Sequence, residues 1–479
     1  MTPPARERQP WRDNLETAAV AIATALLLKY FTLEPFQIPT GSMQPTLMGL
    51  DTARGRPGTP GLQIYDRILV DKLTAFYADP KRWEVWVFQF PLDHSNRYIK
   101  RVVGLPGEEL MLAYGDVYVR REAKQEWRIV RKRPDVQRSL WREVWTSKGG
   151  ASGFWNATGF QQNGDLWEAT GSCRLATVAP ITDAYVHGYP GAVTEALRAA
   201  GYRSEGSSVV RDLRVRTAAR PDAQHAALRI ALDWGGDTLV AELSGPAGNG
   251  ALRLLYNDRE LARAEGSLRL GSRQEIEVWR ADEAVGISID GVTVLRSEFI
   301  SAHAPEKFHP GFTTSSRLQI STEGGAITLE SLAVDRDLHY ANQVQNETFV
   351  SVQIPENHYF MLGDNSVDSV DGRFWKQRLI SIRSPQLGDL KLTGGMMTSG
   401  AQPTENPRPG RSSDGRIEGR IFRDIYGEEY AYREDEGRLA SSIPTACQTV
   451  ARDAFVGRAF ALFWPVPPVS PVLRVGWIR

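Results

Sequence analysis

Short alternations of apolar and polar residues mark the chain from residue 35 to residue 110. The runs YDRILVDKL, WEVWVFQF and YIKRVVGL each show the two-residue period, or the short continuous apolar stretch, of a β-strand. The last run is followed by the turn signal PGE, and the stretch has no helical period of useful length. The pattern predicts a mostly-β domain here.

A longer series of strand patterns runs from residue 150 to residue 340. Its members recur at short intervals: LRIALDW, TLVAELS, ALRLLYN, RQEIEVWRA, AVGISIDGVTVL, RLQIST and AITLESLAV. The Asp290-Gly291 pair inside SIDGVTV is a strong signal for a two-residue hairpin turn. Many short strands separated by turn signals are typical of a β-sandwich. We therefore predict a jelly-roll-like sandwich domain that is large enough to fold alone.

One apolar segment near the N-terminus bears on the cellular compartment. It reads NLETAAVAIATALLLKYFTLEPF, is uncharged from Thr17 to Leu28, and follows three arginines. Because a span takes roughly 20 residues, the composition is marginal, but we predict an uncleaved transmembrane helix over 13–34. A cleavable signal peptide is the alternative, since AIATA contains an A-x-A pattern. The arginines favour a cytoplasmic N-terminus over 1–12, with the rest of the chain outside.

The C-terminal part contains a stretch rich in Gly, Pro, Ser and Asn, TGGMMTSGAQPTENPRPGRSSDGR, which predicts a flexible loop. The final apolar run returns to a β-like pattern, and PVPPVSP cannot continue a helix. The predicted organisation is a cytoplasmic N-terminus (1–12), an anchor (13–34), a first catalytic part (35–149), an inserted sandwich (150–340), a second catalytic part (341–375), a partly flexible insertion (376–444) and a C-terminal catalytic part (445–479).

Composition narrows the classes of partner. The 57 basic and 57 acidic residues cancel, so a nucleic-acid partner is not expected. The seven histidines show no metal-ligand spacing, and the two cysteines form no CxxC, so neither a metal site nor a disulfide scaffold is indicated. Cys173 and Cys447 lie far apart in sequence; both a pairing across the fold and a buried free thiol remain open.

Ser42 stands in the run IPTGSMQPTL, a few residues after the apolar segment. Two prolines bracket the run, and Gly41 leaves the hydroxyl accessible. A serine needs a base to become a nucleophile. Histidine is the usual base, but no histidine lies in a compatible setting.

Lys100 is the candidate base. In YIKRVV, read as a strand, it shares a face with Tyr98 and Val102. Apolar cover lowers the pKa of a lysine, and a general base near neutrality needs a fall from about 10.4 to about 7–8. The alternative is a lysine whose stem packs on the sheet while its amine reaches water.

A third segment, GDNSVDSVDGRFW, is dense in turn-forming residues. Asp371 and Arg373 lie two residues apart and could brace such a loop by an ion pair. Taken singly, none of the three segments is specific.

Together, and in this order behind an N-terminal apolar segment, these runs resemble the bacterial type I signal peptidases, a family of serine proteases. The resemblance runs through EPFQIPTGSMQPTL, YDRILVDKL, YIKRVVGLPGE, FMLGDNSVDSVDGRFW and VGRAFALFWP. It implies an antiparallel β catalytic domain, and the strand-rich segment between the motifs then looks inserted. That segment itself resembles concanavalin-like or laminin-G-like sandwiches.

The resemblance implies a role for each matching residue. Ser42 matches the nucleophile and Lys100 the general base of a Ser-Lys dyad. Thr40, with the Ser42 amide, matches the oxyanion site. The remaining positions fall into two groups: Ser369, Asp371 and Arg373, which orient the lysine and brace its loop, and Ile38, Met43, Tyr98 and Ile99, which match or flank pockets for small residues at −1 and −3 of the substrate.

Two departures from the family pattern stand in the loop. The usual GDNRD reads GDNSV here, so Ser366 and Val367 replace an Arg-Asp pair and one ion pair is lost. Gly372 stands where serine is common. These changes put the bracing of the loop in doubt, but not the dyad.

The resemblance further implies the substrate and the location. The substrates would be signal-peptide-bearing preproteins, cleaved through an acyl-enzyme without metal or organic cofactor. The enzyme would be a single-pass protein of the bacterial inner membrane with its catalytic domain on the outer, periplasmic side. The lipid bilayer and the Sec translocation machinery are the further candidate partners.

Two other functions are compatible with the sequence. In the first, the peptidase part is a degenerate scaffold, and the sandwich binds a glycan or a protein partner. In the second, the chain is a related Ser-Lys protease that cleaves itself or one dedicated partner. The joint presence of Ser42, Lys100 and Ser369 weighs against decay.

Overall fold

The structure of the protein is a computed structural model. It describes residues 10–52, 61–149, 152–202, 206, 208–247, 250–309, 314–344, 347–395, 406–411, 417–441, 445–466 and 473–479. These residues form many β-strands and few helices, so the prediction of a mainly-β protein is confirmed.

The first part of the chain supplies three helices and the strands that lead to the sandwich. The helices are α1 (Pro10–Phe31), α2 (Leu73–Tyr77) and α3 (Pro134–Leu140). The strands are β1 (Leu33–Gln37), β2 (Gly49–Asp51), β3 (Gln63–Tyr65), β4 (Arg67–Asp71), β5 (Val85–Phe90), β6 (Asp93–Gly104), β7 (Glu109–Ala113), β8 (Asp116–Arg120), β9 (Arg128–Ile129) and β10 (Arg142–Thr146).

The middle of the chain contains one further helix, α4 (Gly191–Ala199), among the described residues. Its strands are β11 (Trp155–Thr158), β12 (Gln161–Asn163), β13 (Leu166–Ala169), β14 (Cys173–Thr177), β15 (Leu213–Pro221), β16 (Ala227–Trp234), β17 (Asp237–Leu243), β18 (Ala251–Tyr256), β19 (Arg259–Glu265), β20 (Gln274–Ala281), β21 (Ala284–Ile289), β22 (Val292–Glu298), β23 (Ser316–Glu323) and β24 (Ile327–Arg336).

The last part of the chain is built from short strands. They are β25 (Gln343–Val344), β26 (Glu347–Thr348), β27 (Ser351–Gln353), β28 (His358–Leu362), β29 (Lys376–Ser384), β30 (Gly388–Gly395), β31 (Arg408–Arg411), β32 (Ile417–Arg423), β33 (Glu429–Tyr432), β34 (Gly437–Leu439), β35 (Thr445–Ala446), β36 (Thr449–Ala451), β37 (Phe455–Trp464) and β38 (Gly476–Trp477).

Strands from both ends of the sequence share one antiparallel sheet. Its order is β1-β4-β37-β5-β6-β28-β36, with β38 on the side of β37. A smaller sheet has the order β27-β7-β8-β9, and its strands β7 to β9 follow β6 in the chain. The first sheet carries the strand of Lys100, and β1 leads directly into the turn that contains Ser42.

Two larger sheets form the sandwich in the middle of the chain. One has the order β12-β13-β24-β15-β20-β21-β22, with β10 beside β24, and the other β11-β14-β23-β16-β17-β18-β19. Alternate residues of both sheets are buried and meet in one apolar core, which includes Val215, Ile230, Leu254, Ile276, Ile287, Ile320 and Leu329. The hydrophobic alternation seen in the sequence therefore builds the contact between the sheets.

The predicted hairpin is confirmed. β21 and β22 pair with Ile289 opposite Val292, which leaves Asp290 and Gly291 as the two turn residues. Both have positive φ, 51° and 78°, as a tight hairpin turn of this kind requires.

The segment 376–444 contains more strand than the sequence suggested. β29 pairs with β30 and β34, and β31-β32-β33 forms a small sheet of its own. The Gly- and Pro-rich run that predicts a flexible loop falls largely outside the described residues, at 396–405 and 412–416.

The predicted transmembrane helix is not supported. Among the residues that the structure describes, no helix is both long enough and apolar enough to cross a membrane. The physical reason is the short uncharged run, since Glu16 and Lys29 bound the twelve residues between them. The predicted span also overlaps β1, which begins at Leu33, and the side chains of 25–31 lie outside the described residues.

Both cysteines are free thiols in the structure. Cys173 is buried in the sandwich and Cys447 is half-buried. Burial raises the pKa of the Cys447 thiol to about 11. The open question of a pairing between them is thereby answered in favour of two thiols.

A buried ion pair joins the sandwich to the small sheet. Arg211, just before β15, donates Nε to the carboxylate of Asp116 in β8 at 2.9 Å. The same guanidinium donates to the hydroxyl of Tyr118 at 2.9 Å. The side chains of Arg211 and Asp116 are 1% and 4% exposed, so water cannot replace either partner.

Replacing Arg211 by alanine should therefore destabilise the protein by about 3–5 kcal/mol, because Asp116 is left buried without its cation. Arg253 is the matched control: it pairs with Glu242 and Glu260 on an exposed surface, and Arg253→Ala should cost about 0–1 kcal/mol. Chemical denaturation of the two variants measures both values. Equal costs would contradict the importance of the buried pair.

Candidate active site

Ser42 lies in one turn of 3₁₀ helix, Gly41–Met43, that follows β1. The turn is closed by the Gln44 amide, which donates to the Gly41 carbonyl at 3.0 Å, and by the Leu47 amide, which donates to Met43 at 2.9 Å. The side chains of Met43 and Leu47 are fully buried in an apolar cluster beneath the turn. The serine is thus fixed by backbone bonds and by the burial of its neighbours, as the rigid sequence around it suggested.

Lys100 lies on β6, opposite Trp86 of β5 in the antiparallel ladder. Its side chain is buried, with 3% of the residue exposed. The amine donates a hydrogen bond to the Oγ of Ser42, although the two residues are 58 positions apart in sequence. Of the two interpretations of Lys100, the structure shows the buried one.

Burial determines the charge state of this amine. Loss of solvation lowers the pKa of Lys100 to about 8; the carboxylates of Asp371 and Asp364 act in the opposite direction, and Arg373 adds to the lowering. Desolvation prevails because the amine is removed from water, while Asp371 is already paired with Arg373 and Asp364 with Arg101. The neutral amine is therefore accessible slightly above neutral pH.

Asp371 and Arg373 form a buried ion pair behind Lys100. Arg373 donates Nε and Nη2 to the two carboxylate oxygens at 2.8 Å each. The carboxylate also accepts the Gly363 amide at 3.0 Å. The pair closes the loop from Gly363 to Arg373.

Ser366 takes over part of the bracing that the missing Arg-Asp pair would provide. Its carbonyl accepts from Nη2 of Arg373 at 2.8 Å, and its hydroxyl accepts from Nη1 at 3.0 Å. The same hydroxyl accepts the Ala341 amide at 2.6 Å. The departure from the usual loop sequence therefore leaves the loop tied to Arg373.

Ser369 is fully buried within this loop, and its hydroxyl has no hydrogen-bond partner among the described residues. Ser369, which the family resemblance places among the residues that orient the lysine, thus makes no hydrogen bond with the Lys100 amine. The hydroxyl packs over Gly363, next to the carbonyl of Ser42.

Three residues of the site were missed in the sequence. Asp364 accepts two bonds from Arg101, at 2.8 and 2.6 Å, with both side chains fully buried. Burial alone would raise the pKa of Asp364, but the charge and hydrogen bonds of Arg101 outweigh it and hold that pKa below its usual value. Asn365 binds the nucleophile turn: its side chain donates to the Gly41 carbonyl at 3.0 Å and its amide to the Ser42 carbonyl at 3.1 Å.

A signal for these residues was present, because Asp364 and Asn365 belong to the quoted GDN run and Arg101 follows Lys100 directly. Their partners, however, lie hundreds of positions away in sequence, and no local pattern pairs them.

The remaining predicted residues surround the turn in different ways. Thr40 is exposed and directly precedes it. Ile38 and Met43 are 2% and 0% exposed, so they form the apolar floor under Ser42 and not an open pocket wall. Tyr98 and Ile99 are half-buried on β6, and burial raises the pKa of Tyr98 to about 12.

The arrangement provides the parts of a serine hydrolase with a lysine base. A serine hydroxyl contacts an amine whose pKa burial has lowered, and a buried ion pair fixes the loop behind that amine.

Comparison with known proteins shows a similarity to one family over part of the chain. The family described as signal peptidase, peptidase S26, matches residues 11–142 and 310–384. These two segments contain Ser42, Lys100 and the loop to Arg373. Signal peptidase I of Rickettsia canadensis is 34% identical over 116 residues, which are 23% of this chain and 42% of that protein. Signal peptidase I of Pseudomonas fluorescens is 45% identical over 83 residues, 17% of this chain and 28% of that protein.

The resemblance to type I signal peptidases expected from the sequence is therefore confirmed as a similarity over the matched segments. The enzyme class that this family implies is that of the serine endopeptidases. The chain spans less than half the length of these curated relatives.

Comparison with solved structures gives matches of low overall similarity. A carbohydrate-binding module, CBM66 from Bacillus subtilis, covers 38% of this chain and 95% of its own at 8% identity and a TM-score of 0.24. A protein of unknown function with a galectin-like fold, also from Bacillus subtilis, covers 41% and 98% at 10% identity and a TM-score of 0.28. At these scores the likeness carries no conclusion about a ligand.

The close packing at Gly363 gives a test of the site's rigidity. A methyl group there would collide with the Ser369 hydroxyl and the Ser42 carbonyl, so Gly363→Ala should destabilise the protein by about 1–3 kcal/mol. At Gly171 an added methyl meets nothing within 4 Å, and Gly171→Ala should stay within about 0.5 kcal/mol of the unchanged protein. Denaturation midpoints measure both, and a Gly363 variant as stable as the control would contradict the packing.

Proposed function

We propose that this protein is a serine endopeptidase that removes signal peptides from exported preproteins, with Ser42 as nucleophile and Lys100 as general base. The observation that carries the proposal is the contact of a buried lysine amine with the hydroxyl of Ser42. The similarity of both matched segments to signal peptidase I supports the substrate class.

In the proposed acylation step, the neutral Lys100 amine accepts the proton of the Ser42 hydroxyl as Oγ bonds to the scissile carbonyl carbon. The carbonyl oxygen becomes an oxyanion, which the exposed Thr40 hydroxyl and the Ser42 amide would stabilise. When the carbon–nitrogen bond breaks, the protonated Lys100 gives its proton to the departing amine. An acyl-enzyme on Ser42 remains.

Deacylation reverses these roles. The neutral Lys100 amine takes a proton from a water molecule, whose oxygen bonds to the acyl carbon. The tetrahedral intermediate collapses, Ser42 recovers its proton from the protonated Lys100, and the signal peptide, whose acyl group was held on Ser42, is released as a carboxylate. The bracing of the loop by Asp371 and Arg373 keeps Lys100 in place through both steps.

The finer parts of the proposal concern specificity and location. Small residues at −1 and −3 would lie near Tyr98 and Ile99, the half-buried members of the predicted pocket set. We place the enzyme at the outer face of the bacterial inner membrane, attached through α1. Its exposed apolar side chains Leu15, Val20 and Ile22 support this attachment.

Cleavage of a preprotein with an A-x-A site by the full chain tests the function. The unchanged protein should cut after the second small residue, whereas Ser42→Ala and Lys100→Met should each lower the rate by at least about 10³-fold, because nucleophile and base act as one unit. Mass spectrometry of the products locates the cut. Arg253→Ala, remote from the turn, serves as control.

Cleavage that survives both substitutions would refute the dyad. If every form, including the unchanged protein, leaves the preprotein intact, the peptidase part is a scaffold and the binding function of the sandwich is favoured.

A further inference from the structure

The segment before and within α4 packs directly on the chain that carries Ser42. One apolar cluster joins the two parts of the chain beyond the nucleophile turn. From the side of the turn it contains Met48, just before β2, Leu50 of β2 and Ile64 of β3. From the insert it contains Ala184, Val186, Tyr189, Val193 and Leu197. The segment falls within the predicted insert, 150–340, and outside both ranges that match the peptidase family. The insert is thus docked beside the nucleophile and is not merely attached to the catalytic part by its two ends.

Two tyrosines of this segment bind the residue that closes the turn. Tyr185 and Tyr189 both donate their hydroxyls to Oε1 of Gln44, at 2.5 and 2.7 Å. Gln44 is 1% exposed, so these bonds lie in a water-poor interface. Burial raises the pKa of both tyrosines, and their hydroxyls stay protonated as donors.

Gln44 also contacts the turn that contains Ser42. Its backbone amide closes the turn on the Gly41 carbonyl at 3.0 Å. Its side chain lies against Gly41, close enough that a Cβ at that position would approach its amide group to 3.2 Å. A shift of the Gln44 side chain would therefore move the residue before Ser42.

A second contact holds the far end of the turn. Arg142, at the start of β10, donates to Oγ1 of Thr46 at 2.6 Å. Thr46 in turn donates to the carboxylate of Asp364 at 2.5 Å. Since β10 pairs with β24 of the sandwich, this contact also ties the turn to the sandwich sheet.

We propose that Tyr185 and Tyr189 of the insert are positioning residues for the nucleophile, acting through Gln44 to hold the Ser42 turn in register with Lys100. The inference rests on the proposed function for its catalytic readout, whereas the contact itself can be tested without activity. In this view the insert completes the active site, and a chain without it would present Ser42 less well ordered.

The test replaces both tyrosines by phenylalanine, which keeps the rings and removes only the hydroxyls. Single-turnover cleavage of the A-x-A preprotein, with enzyme in excess, should slow by about 10- to 100-fold, because a small misplacement of the nucleophile costs that much. The rate constant should be compared at enzyme concentrations where it no longer depends on enzyme, because a partial loss of folded protein then leaves it unchanged, whereas a misplaced nucleophile lowers it. Tyr256→Phe is the matched control, as it removes a hydroxyl that donates to Asp237 within the sandwich.

Two further readouts separate positioning from general destabilisation. Gln44→Met should slow cleavage to the same extent, and combining it with the tyrosine changes should add nothing, because all three act through one contact. Amide hydrogen exchange of the turn peptide from Gly41 to Leu47 should become faster in the tyrosine variant and stay unchanged in the control.

The outcomes are distinct. Slower cleavage with faster exchange supports the inference, and an unchanged rate constant or unchanged exchange overturns it. If the unchanged protein shows no cleavage that depends on Ser42, while exchange in the turn responds to the tyrosine changes, the proposed function fails and the tie between insert and turn stands.

Discussion

Burial of the Lys100 amine against the Ser42 hydroxyl is the interaction on which the site depends. An amine in water stays protonated near neutral pH and cannot accept a proton; on β6 the loss of solvation lowers its pKa to about 8. A fall of this size corresponds to about 3 kcal/mol at roughly 1.4 kcal/mol per unit, and the folded structure has to supply that free energy. The antiparallel sheet holds the amine in its buried position, because β6 is paired on both sides, with β5 and with β28.

The buried ion pairs around Ser42 and Lys100 follow from the need to keep the amine neutral. A loop that carries Asp364 and Asp371 next to a buried lysine would raise the pKa of that lysine if the carboxylates were unpaired. Arg101 and Arg373 neutralise them at close range, so the amine keeps its lowered pKa while the loop is held in place. These pairs fix the geometry of the site more than they stabilise the fold, since the desolvation cost of burying the charges offsets much of their attraction.

Much of the architecture follows from local patterns in the sequence. The alternation of apolar residues predicts the strands of the sandwich, and the Asp290-Gly291 turn fixes one hairpin register. The predicted neighbourhood of Ser42, Lys100 and the Asp371–Arg373 pair rests on a family resemblance joined to the strand pattern around Lys100. The marginal N-terminal segment shows the limit of hydropathy, because an apolar run of intermediate length predicts a span that the described residues do not support.

What sequence patterns could not supply are the contacts between distant parts of the chain. Gln44 and Tyr185 are separated by 141 positions, and Arg101 and Asp364 by 263. Such pairs depend on how whole sheets dock, which no local period encodes. The missing hydrogen bond of Ser369 is of the same kind, since the distance between a loop hydroxyl and a strand amine is set by packing.

The titration of Lys100 itself tests the account most directly. With lysine labelled by ¹³C at the ε-carbon, the signal that disappears in Lys100→Met can be followed by NMR across the pH range. The account predicts a midpoint near pH 8, set by desolvation. A midpoint near the ordinary value of about 10.4 would show a solvated, permanently charged amine at neutral pH and would contradict the assignment of Lys100 as the base.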